Sequence, residues 1–442
     1  MENELFEKTP VAKAYLKLSL PVVMSMMVSL VYNMVDTYFI ALTGNQNLVA
    51  GVSLIAPIFT LLVAFGDIFG LGGSSLIARL FGSGREEDAK RASAFCVWAA
   101  IAFGILVTLL FFLFRSQILT ALGAEESTWQ YAKDYYSWLT LGSVFILFGL
   151  VPSNILRTEG LATPAMIGSV MGSVINIILD PIFIFGLGKG AAGAAIATVI
   201  GNIAADIYYV YVMMKKAKRL SVSPKLCRIS ANMAASIFAI GIPACTTNLM
   251  QSFMIMITNH FLLSYGTDKV AAMGIALKVN MITAFVLVGF AFGGQPLVGY
   301  NYGAKNQKRM KEILKFAYSF EIALALLFTI GVSLLAPFLI RIFMNEDAIV
   351  TNGANMLRCQ QLGMTFMAII LVTTCICQSL GKAMYALILS ISRQGIIYII
   401  VIALFSHLLG YQGILLSQAC SDLITGILAL LILAKLRKAL FS

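Results

Sequence analysis

Six carboxylate side chains lie inside stretches of this sequence that are otherwise apolar enough to cross a membrane. They are Asp36, Asp67, Asp180, Asp206, Glu321 and Asp422. A charged group at the centre of a bilayer costs roughly 2.5–3.5 kcal/mol on insertion scales, and acids retained there usually mark an ion pathway. These residues are therefore the first candidates for chemistry in the chain.

Two of the acids are predicted to lie at one depth. Asp36 is near the end of an outward-running first span and Asp180 near the end of an outward-running fifth span, about 9 and 10 Å below the outer boundary. Thr198 and Asn202 in the inward-running sixth span fall about 10 and 16 Å deep. Three helices thus place polar groups in one layer.

Helical spacing also puts these groups on shared faces, because residues three or four positions apart lie on one side of a helix. The sequence has one such set in each of the three spans: Asn33 with Asp36, Asn176 with Asp180, and Thr198 with Asn202 and Asp206. We therefore predict a polar network in which Asn33, Asn202 and Asp206 support the other polar groups of these helices. Hydrogen bonding that only packs the helices is the alternative.

The residue after Asp180 favours a cation site. Pro181 removes the hydrogen bond that the carbonyl of Ile177 would accept. A freed carbonyl beside Asn176, Asp180 and Asp36 suits a small cation. Two carboxylates in one buried site cannot both stay ionised cheaply, so a proton is an equally suitable occupant.

The elements that carry these groups are repeated. Two long segments follow one pattern about 221 residues apart, and Pro21 and Pro243 stand near the starts of the two copies. Each copy runs through an aromatic-Gly-small turn, at 81–83 and 302–304, into a charged stretch. Duplicated membrane chains are typical of secondary transporters, whose substrate path lies between the copies.

The composition predicts an all-α integral membrane protein. Of the 442 residues, 60% are hydrophobic and 12% are charged, about half the charged fraction of soluble domains. We predict twelve transmembrane helices that can each cross a hydrocarbon core of about 30 Å. They cover residues 15–42, 48–80, 92–114, 129–157, 163–187, 191–214, 232–264, 270–302, 313–340, 350–380, 383–407 and 412–435.

Charge placement predicts the topology. Six spans in each half make the repeats parallel, as lobes 1–214 and 232–442 joined by a basic linker at 215–231. Most Lys and Arg fall on the side of that linker, which the positive-inside rule makes cytoplasmic. We expect a multi-pass protein of the plasma (inner) membrane with both termini cytoplasmic. The net charge of +11 then needs no nucleic-acid partner.

Several function classes lack a motif. No Gly-rich phosphate loop of the G-x-x-x-x-G-K-[ST] type is present, and His260 and His407 are the only histidines. Without a zinc motif or a nucleophile set, we predict that the chain is not an enzyme and holds no structural metal or cofactor. Transport energy would come from an ion gradient or from the substrate's own gradient.

The second half does not copy the acidic layer. By the repeat offset, Asp36 corresponds to Thr258 and Asp180 to the stretch 398–400. A charge-compensated cluster is predicted there instead, from Lys278, Arg393 and Asp422.

The chain resembles the multidrug and toxic-compound extrusion (MATE) transporters, in the prokaryotic branch whose cation site lies in the N-terminal lobe. The matching stretches are 20–21 through 32–36, 78–82, 176–183, 190–202 and 241–243. The resemblance implies a V-shaped pair of lobes that exports cationic, amphipathic compounds in exchange for H⁺ or Na⁺. It also implies a cation site made of Asp36, Asn176, Asp180 and Thr198, whereas Asp67 and Asp206 depart from the family pattern.

An alternative within the related superfamily is a flippase for lipid-linked oligosaccharides. It would need a basic cavity to hold a pyrophosphate, and the predicted spans offer Lys278, Arg358 and Arg393. We expect a monomer in the lipid bilayer whose partners are small-molecule organic cations.

Overall fold

The computed structural model describes residues 4–441, and side chains as far as residue 437. All regular elements in this range are helical. Ten helices are long and apolar enough to cross a membrane, and two bent pairs raise the number of spans to as many as twelve in this part of the chain. The prediction of twelve spans is confirmed on this count.

The spans, numbered 1 to 12 along the chain, match the predicted ones to within a few residues. Ten of them are Val11–Leu42, Gln46–Gly82, Glu86–Leu113, Ala162–Gly186, Gly190–Lys215, Ala231–Leu263, Thr267–Gly303, Gln307–Phe343, Ala383–Leu409 and Tyr411–Arg437. Spans 4 and 10 are the bent pairs, Glu126–Leu141 with Ser143–Glu159 and Asp347–Leu362 with Met364–Ser379. Shorter helices cover Glu4–Glu7, Arg115–Ala121 and Pro224–Leu226.

Spans 4 and 10 break at equivalent places in the two repeats. They bend by 49° and 44° at Gly142 and Gly363. A Cβ on Gly142 would clash with the side chain of Val199 in span 6. A Cβ on Gly363 would lie 2.7 Å from Oδ2 of Asp422 in span 12. The breaks let spans 6 and 12 pack closely against the bends.

Contacts divide the chain into two compact units. The N-terminal unit is Met24–Cys245, and the C-terminal unit combines the chain up to Val23 with the chain from Thr246 onward. The boundaries fall inside spans 1 and 7, two residues after Pro21 and Pro243. The contact units therefore differ from the lobes 1–214 and 232–442 in where the starts of these two helices belong.

Each unit has its own apolar core. In the N-terminal unit the core includes Ile55, Leu62 and Leu147, and in the C-terminal unit it includes Ile340 and Leu357, all buried. Large apolar side chains on several spans are exposed instead, among them Leu109, Leu113, Ile207, Met214, Leu334 and Phe338. Exposed apolar faces of this size are expected where helices meet lipid.

The basic linker of the sequence is held against the N-terminal unit. Arg219, with 5% of its side chain exposed, forms an ion pair with Glu86 at 2.9 Å, and its guanidinium lies 4.1 Å from the centre of the Phe81 ring. The indole of Trp98 donates a hydrogen bond to the carbonyl of Val222 at 2.9 Å. The linker is therefore a packed part of this unit.

Candidate cation site in the N-terminal unit

Two carboxyl groups from spans 1 and 5 meet in the N-terminal unit. Asp36 and Asp180 lie close enough to share a side-chain hydrogen bond. Asp180 is fully buried, and Asp36 is half-buried with its Oδ1 inside. Within residues 4–441, no donor reaches that oxygen or either oxygen of Asp180. Two carboxyl groups in contact without a donor need a proton on one of them, or a bound cation.

An amide adds a further acceptor. Nδ2 of Asn176 donates to Oγ1 of Thr198 at 3.1 Å, and that hydroxyl donates to the carbonyl of Ala194 at 3.1 Å. Oδ1 of the same amide is buried with no donor in the described chain. A fourth acceptor oxygen thus lies one helical turn before Asp180.

Glycines bring the helices carrying these groups together. Gly172, Asn176 and Asp180 follow one another at intervals of four on the buried face of span 5. A Cβ on Gly201 in span 6 would lie 2.6 Å from the carbonyl oxygen of Gly172. Small residues at such a crossing allow close backbone approach. The approach places Thr198 within hydrogen-bonding distance of Asn176.

The backbone changes directly after Asp180. The α-helix ends at Pro181, and a π-helical segment, Ile182–Gly186, completes span 5. Proline cannot donate the next helical hydrogen bond, and single π-helical turns are frequent at functional sites. Gly193 in span 6 packs against this segment, since its Cβ would lie 2.7 Å from the carbonyl oxygen of Phe183.

Two tyrosines near the site were not predicted. The hydroxyl of Tyr32 lies 3.4 Å from Oγ1 of Thr198, and the buried Tyr135 is within electrostatic range of Asp36 and Asp180. Spacing could have revealed Tyr32, which is four residues before Asp36 on the same helix face. Tyr135 comes from span 4, and its spacing gives no comparable signal.

The predicted supporting residues have different surroundings. Nδ2 of Asn202 donates to the backbone carbonyl of Thr198, one turn earlier in its own helix, at 2.8 Å. Asn33 is exposed and bonds a carbonyl one turn earlier in its own helix. Asp206 is 6% exposed, with no donor to either oxygen in the described range, and it lies against Gly149 of span 4.

The C-terminal unit has a paired acid. Nε of Arg393 donates to Oδ1 of Asp422 at 2.8 Å, and Nε2 of Gln418 donates to the same oxygen at 2.9 Å. The hydroxyl of Ser421 donates to the carbonyl of Arg393 at 2.8 Å. Lys278 is exposed on span 8. The structure therefore brings together two of the three predicted cluster residues.

A hydroxyl pair lies in the corresponding region of the C-terminal unit, where the offset that carries Asp36 to Thr258 also carries Asn176, one turn before Asp180, to Tyr398. Oγ1 of Thr258 and the hydroxyl of Tyr398 are 2.6 Å apart. Both residues are buried, at 3% and 1% exposure. The acid pair is thus a property of one repeat, and its counterpart is neutral.

Comparison with known proteins agrees with the duplicated helical fold and decides the family. The MatE family model matches residues 21–182 and again residues 243–404, once in each repeat. The chain belongs to the MatE family. It is therefore a membrane transporter and not an enzyme, and the family predicted from its motifs is confirmed.

Relatives of known name align along nearly the whole chain. The multidrug export protein MepA of Staphylococcus aureus is 31% identical over 440 residues, which cover 98% of this chain and 96% of that protein. The protein of the same name in Staphylococcus saprophyticus is 29% identical over the same shares.

Solved structures share the fold of this MatE protein. An outward-facing multidrug resistance MATE transporter is 25% identical, with a TM-score of 0.93 over 100% of this chain and 99% of that one. A transporter from Pyrococcus furiosus is likewise 25% identical, with a TM-score of 0.94 over the same shares. Its binding pocket is described as having reversed polarity, which suggests a different function for that protein.

Proposed function

We propose that this MatE protein is a secondary antiporter that exports cationic, amphipathic compounds in exchange for H⁺ or Na⁺. Asp36 and Asp180 would bind the coupling ion, with Asn176 and Thr198 as neutral ligands. One observation carries the proposal: two carboxyl groups are in contact inside the N-terminal unit, and their buried oxygens have no donor in the described chain. A permanently empty site of this kind would be unstable, because like charges would face each other out of water.

The two acids stand on different helices, and this gives a means of coupling. An ion shared by Asp36 and Asp180 ties span 1 to span 5. Span 1 is one continuous helix with Pro21 inside it, and a proline in a helix interior weakens its hydrogen bonding at that point. Release of the ion would free the outer part of span 1 to move. A drug that binds one position of this helix better than the other would then compete with the ion by linkage.

The class of exported compound rests on similarity. The relatives named above are multidrug exporters, and export of cationic compounds needs an opposing cation flow to be driven. The predominance of Lys and Arg on one side supports a protein of the plasma (inner) membrane with cytoplasmic termini. In that orientation the acids lie nearer the outer surface, where entering H⁺ or Na⁺ arrives first.

The test is efflux from vesicles in which Na⁺ and pH gradients are imposed separately. Wild type is compared with Asp36→Asn and Asp180→Asn. Bonds to a charged partner are worth about 1.5–3 kcal/mol, so we expect gradient-driven efflux to fall about 10- to 100-fold in each variant. The gradient that drives wild-type efflux identifies the ion.

Loss of folding has to be separated from loss of coupling. Both substitutions remove a buried carboxyl group that lacks a donor, so the apparent unfolding temperature should stay unchanged or rise. Asp347→Asn is the matched control, because the side chain of Asp347 is 95% exposed. Wild-type coupled efflux in Asp36→Asn or Asp180→Asn would end the proposal.

The part of the chain that the structure describes does not bring the three basic residues of the flippase alternative together. Arg393 is engaged by Asp422, and Arg358 is exposed and donates to the carbonyl of Ser333. Lys278 is exposed on a third helix. The three basic residues on which a pyrophosphate site would depend are thus spread over separate surroundings.

A further inference from the structure

A buried acid without a donor also lies in the C-terminal unit. Glu321 is on span 9, within the helix Gln307–Phe343. Its exposure is 0%, and neither carboxyl oxygen receives a hydrogen bond from the described chain. The sequence marked this acid as one of six in predicted spans but gave it no partner.

The surroundings of Glu321 are apolar or neutral. Tyr15, which is 1% exposed, lies within electrostatic range of both the Glu321 carboxyl and the Cys375 thiol. Tyr15, at the start of span 1, is therefore a titratable group beside Glu321, and Cys375 of span 10 lies on the same tyrosine. Tyr15 also packs edge-on against Phe316, with ring centres 5.4 Å apart. The thiol of Cys375 is engaged with the carbonyl of Ala291 at 3.2 Å.

The paired acid of the same unit shows what an ionised carboxylate requires there. Asp422 is 3% exposed and receives one bond from a guanidinium and one from an amide. Glu321 is more deeply buried and has neither. Burying a carboxylate without a counter-charge costs several kcal/mol, so such a group takes up a proton and becomes neutral.

A metal ion does not fit the site. No group of three or more His, Cys, Asp or Glu side chains that could hold one exists in residues 4–441. One carboxyl group with a tyrosine beside it is too small a ligand set for Mg²⁺ or Zn²⁺. The proton is the one cation that a single buried carboxyl group binds alone.

We propose that Glu321 is a second proton-binding site of this transporter, separate from the Asp36–Asp180 pair. In the conformation described here it is the neutral carboxylic acid. During the transport cycle it releases the proton to water when water reaches this side chain, and it takes one up again before the site closes. The exchange of the proton rests on the proposed antiport, whereas the protonated state is inferred from the burial of Glu321 alone.

Infrared spectroscopy tests the protonated state directly. A carboxylic acid has a C=O stretching band that a carboxylate lacks. We expect the Glu321→Gln protein at neutral pH to lose one such band relative to wild type. Glu312→Gln, which changes an exposed acid on the same helix, should leave the band in place. An unchanged spectrum in Glu321→Gln overturns the proposal.

Proton counting tests the exchange. Vesicles export ethidium, a cationic dye, under a pH gradient, and the protons that enter per dye molecule are measured. We expect Glu321→Gln to lower this ratio by up to one proton and to flatten the pH dependence of export, with the ratio of Glu312→Gln unchanged. A lost band together with a wild-type ratio and pH profile shows that Glu321 is only a buried neutral acid, and the proposed exchange is then wrong.

The two proposals can fail separately. If Asp36→Asn and Asp180→Asn retain coupled efflux, the coupling site is wrong, but the infrared band of Glu321 is still predicted. If Glu321→Gln loses no band relative to wild type, the proposal for Glu321 is wrong and the proposal for the acid pair is unaffected. Because glutamine has nearly the shape of a neutral glutamic acid, Glu321→Gln should fold, and monodisperse elution from a sizing column checks this.

Discussion

Equivalent regions of the two repeats hold pairs of opposite character. In the C-terminal unit the hydroxyls of Thr258 and Tyr398 are 2.6 Å apart. A hydroxyl both donates and accepts, so this pair satisfies itself. In the N-terminal unit two carboxyl groups meet, and an ionised carboxyl group only accepts. The same architecture thus yields a closed hydrogen bond in one repeat and a demand for a proton or cation in the other.

The acids themselves differ in the same way. Asp422 is bonded to Arg393 and Gln418, whereas Asp180 has no donor in the described range. A paired buried acid supports the fold, and removing its partner is costly. An acid without a donor weakens the fold and is retained for another reason. Disrupting the paired acid should therefore lower stability and leave ion coupling intact. Replacing an acid without a donor should lower ion coupling and leave stability intact.

The largest expected effect on stability is at the paired acid. Arg393→Met would leave Asp422 buried with only Gln418, and removing one partner of a buried ion pair costs about 3–5 kcal/mol. We expect a clear fall in the apparent unfolding temperature in detergent. Protein that remains folded should keep its ion coupling.

A double variant sharpens this result. Replacing both partners of a buried pair by apolar residues is often close to neutral, so Arg393→Met with Asp422→Leu should recover most of the lost stability. If the double variant is as unstable as the single one, the pair is not what stabilises this region. If the folded single variant has lost coupling, the contrast between the two acids is wrong.

An intermediate effect is expected where spans 5 and 6 cross. Gly201→Val would place side-chain atoms against the carbonyl of Gly172, which a Cβ would already meet at 2.6 Å. Overpacking of this kind costs about 1–3 kcal/mol, and it separates Asn176 from Thr198. We expect weaker ion-driven efflux together with a lower unfolding temperature.

The control for that substitution is a glycine in open space. Gly274 has no heavy atom within 4 Å of its would-be Cβ, so Gly274→Val adds a side chain without a clash. It should leave efflux and stability close to wild type. Equal losses in both variants would mean that the close approach of spans 5 and 6 does not position the site.

The smallest effect is expected at the hydroxyl pair. Thr258→Val and Tyr398→Phe each remove one partner of a neutral hydrogen bond, whose net worth is about 0.5–1.5 kcal/mol. We expect a small fall in unfolding temperature and unchanged ion coupling, measured in the same vesicle assay. Loss of coupling in either variant would show that this repeat also carries the ion.

Much of the fold could be predicted from the sequence because each membrane span is recognisable from its own residues. A run of about twenty apolar residues predicts a helix without reference to any other part of the chain. Part of the arrangement at the candidate site was predictable for a related reason. Asn176 and Asp180 share a helix face through spacing alone, and Pro181 marks the backbone change that follows.

The side chains that the sequence did not place correctly are those whose surroundings are set by other helices. Lys278 was grouped with Arg393 and Asp422 by charge, yet it is exposed on span 8. Tyr135 approaches the acid pair from span 4, and Glu321 is fully enclosed. Rotation of a helix about its axis is set by packing against other helices, which spacing within one helix does not reveal.

The amino-acid sequence by itself determined the helices, their duplication and the cost of six acids in apolar segments, because hydrophobicity and helical period act over neighbouring residues. The tertiary structure decided which acids are neutralised. Asp422 accepts a hydrogen bond from a guanidinium, Asp36 and Asp180 lie against each other, and Glu321 has no donor in the described chain. Electrostatic energy in a medium of low dielectric depends on distances between groups far apart in sequence, and only the packed helices set those distances.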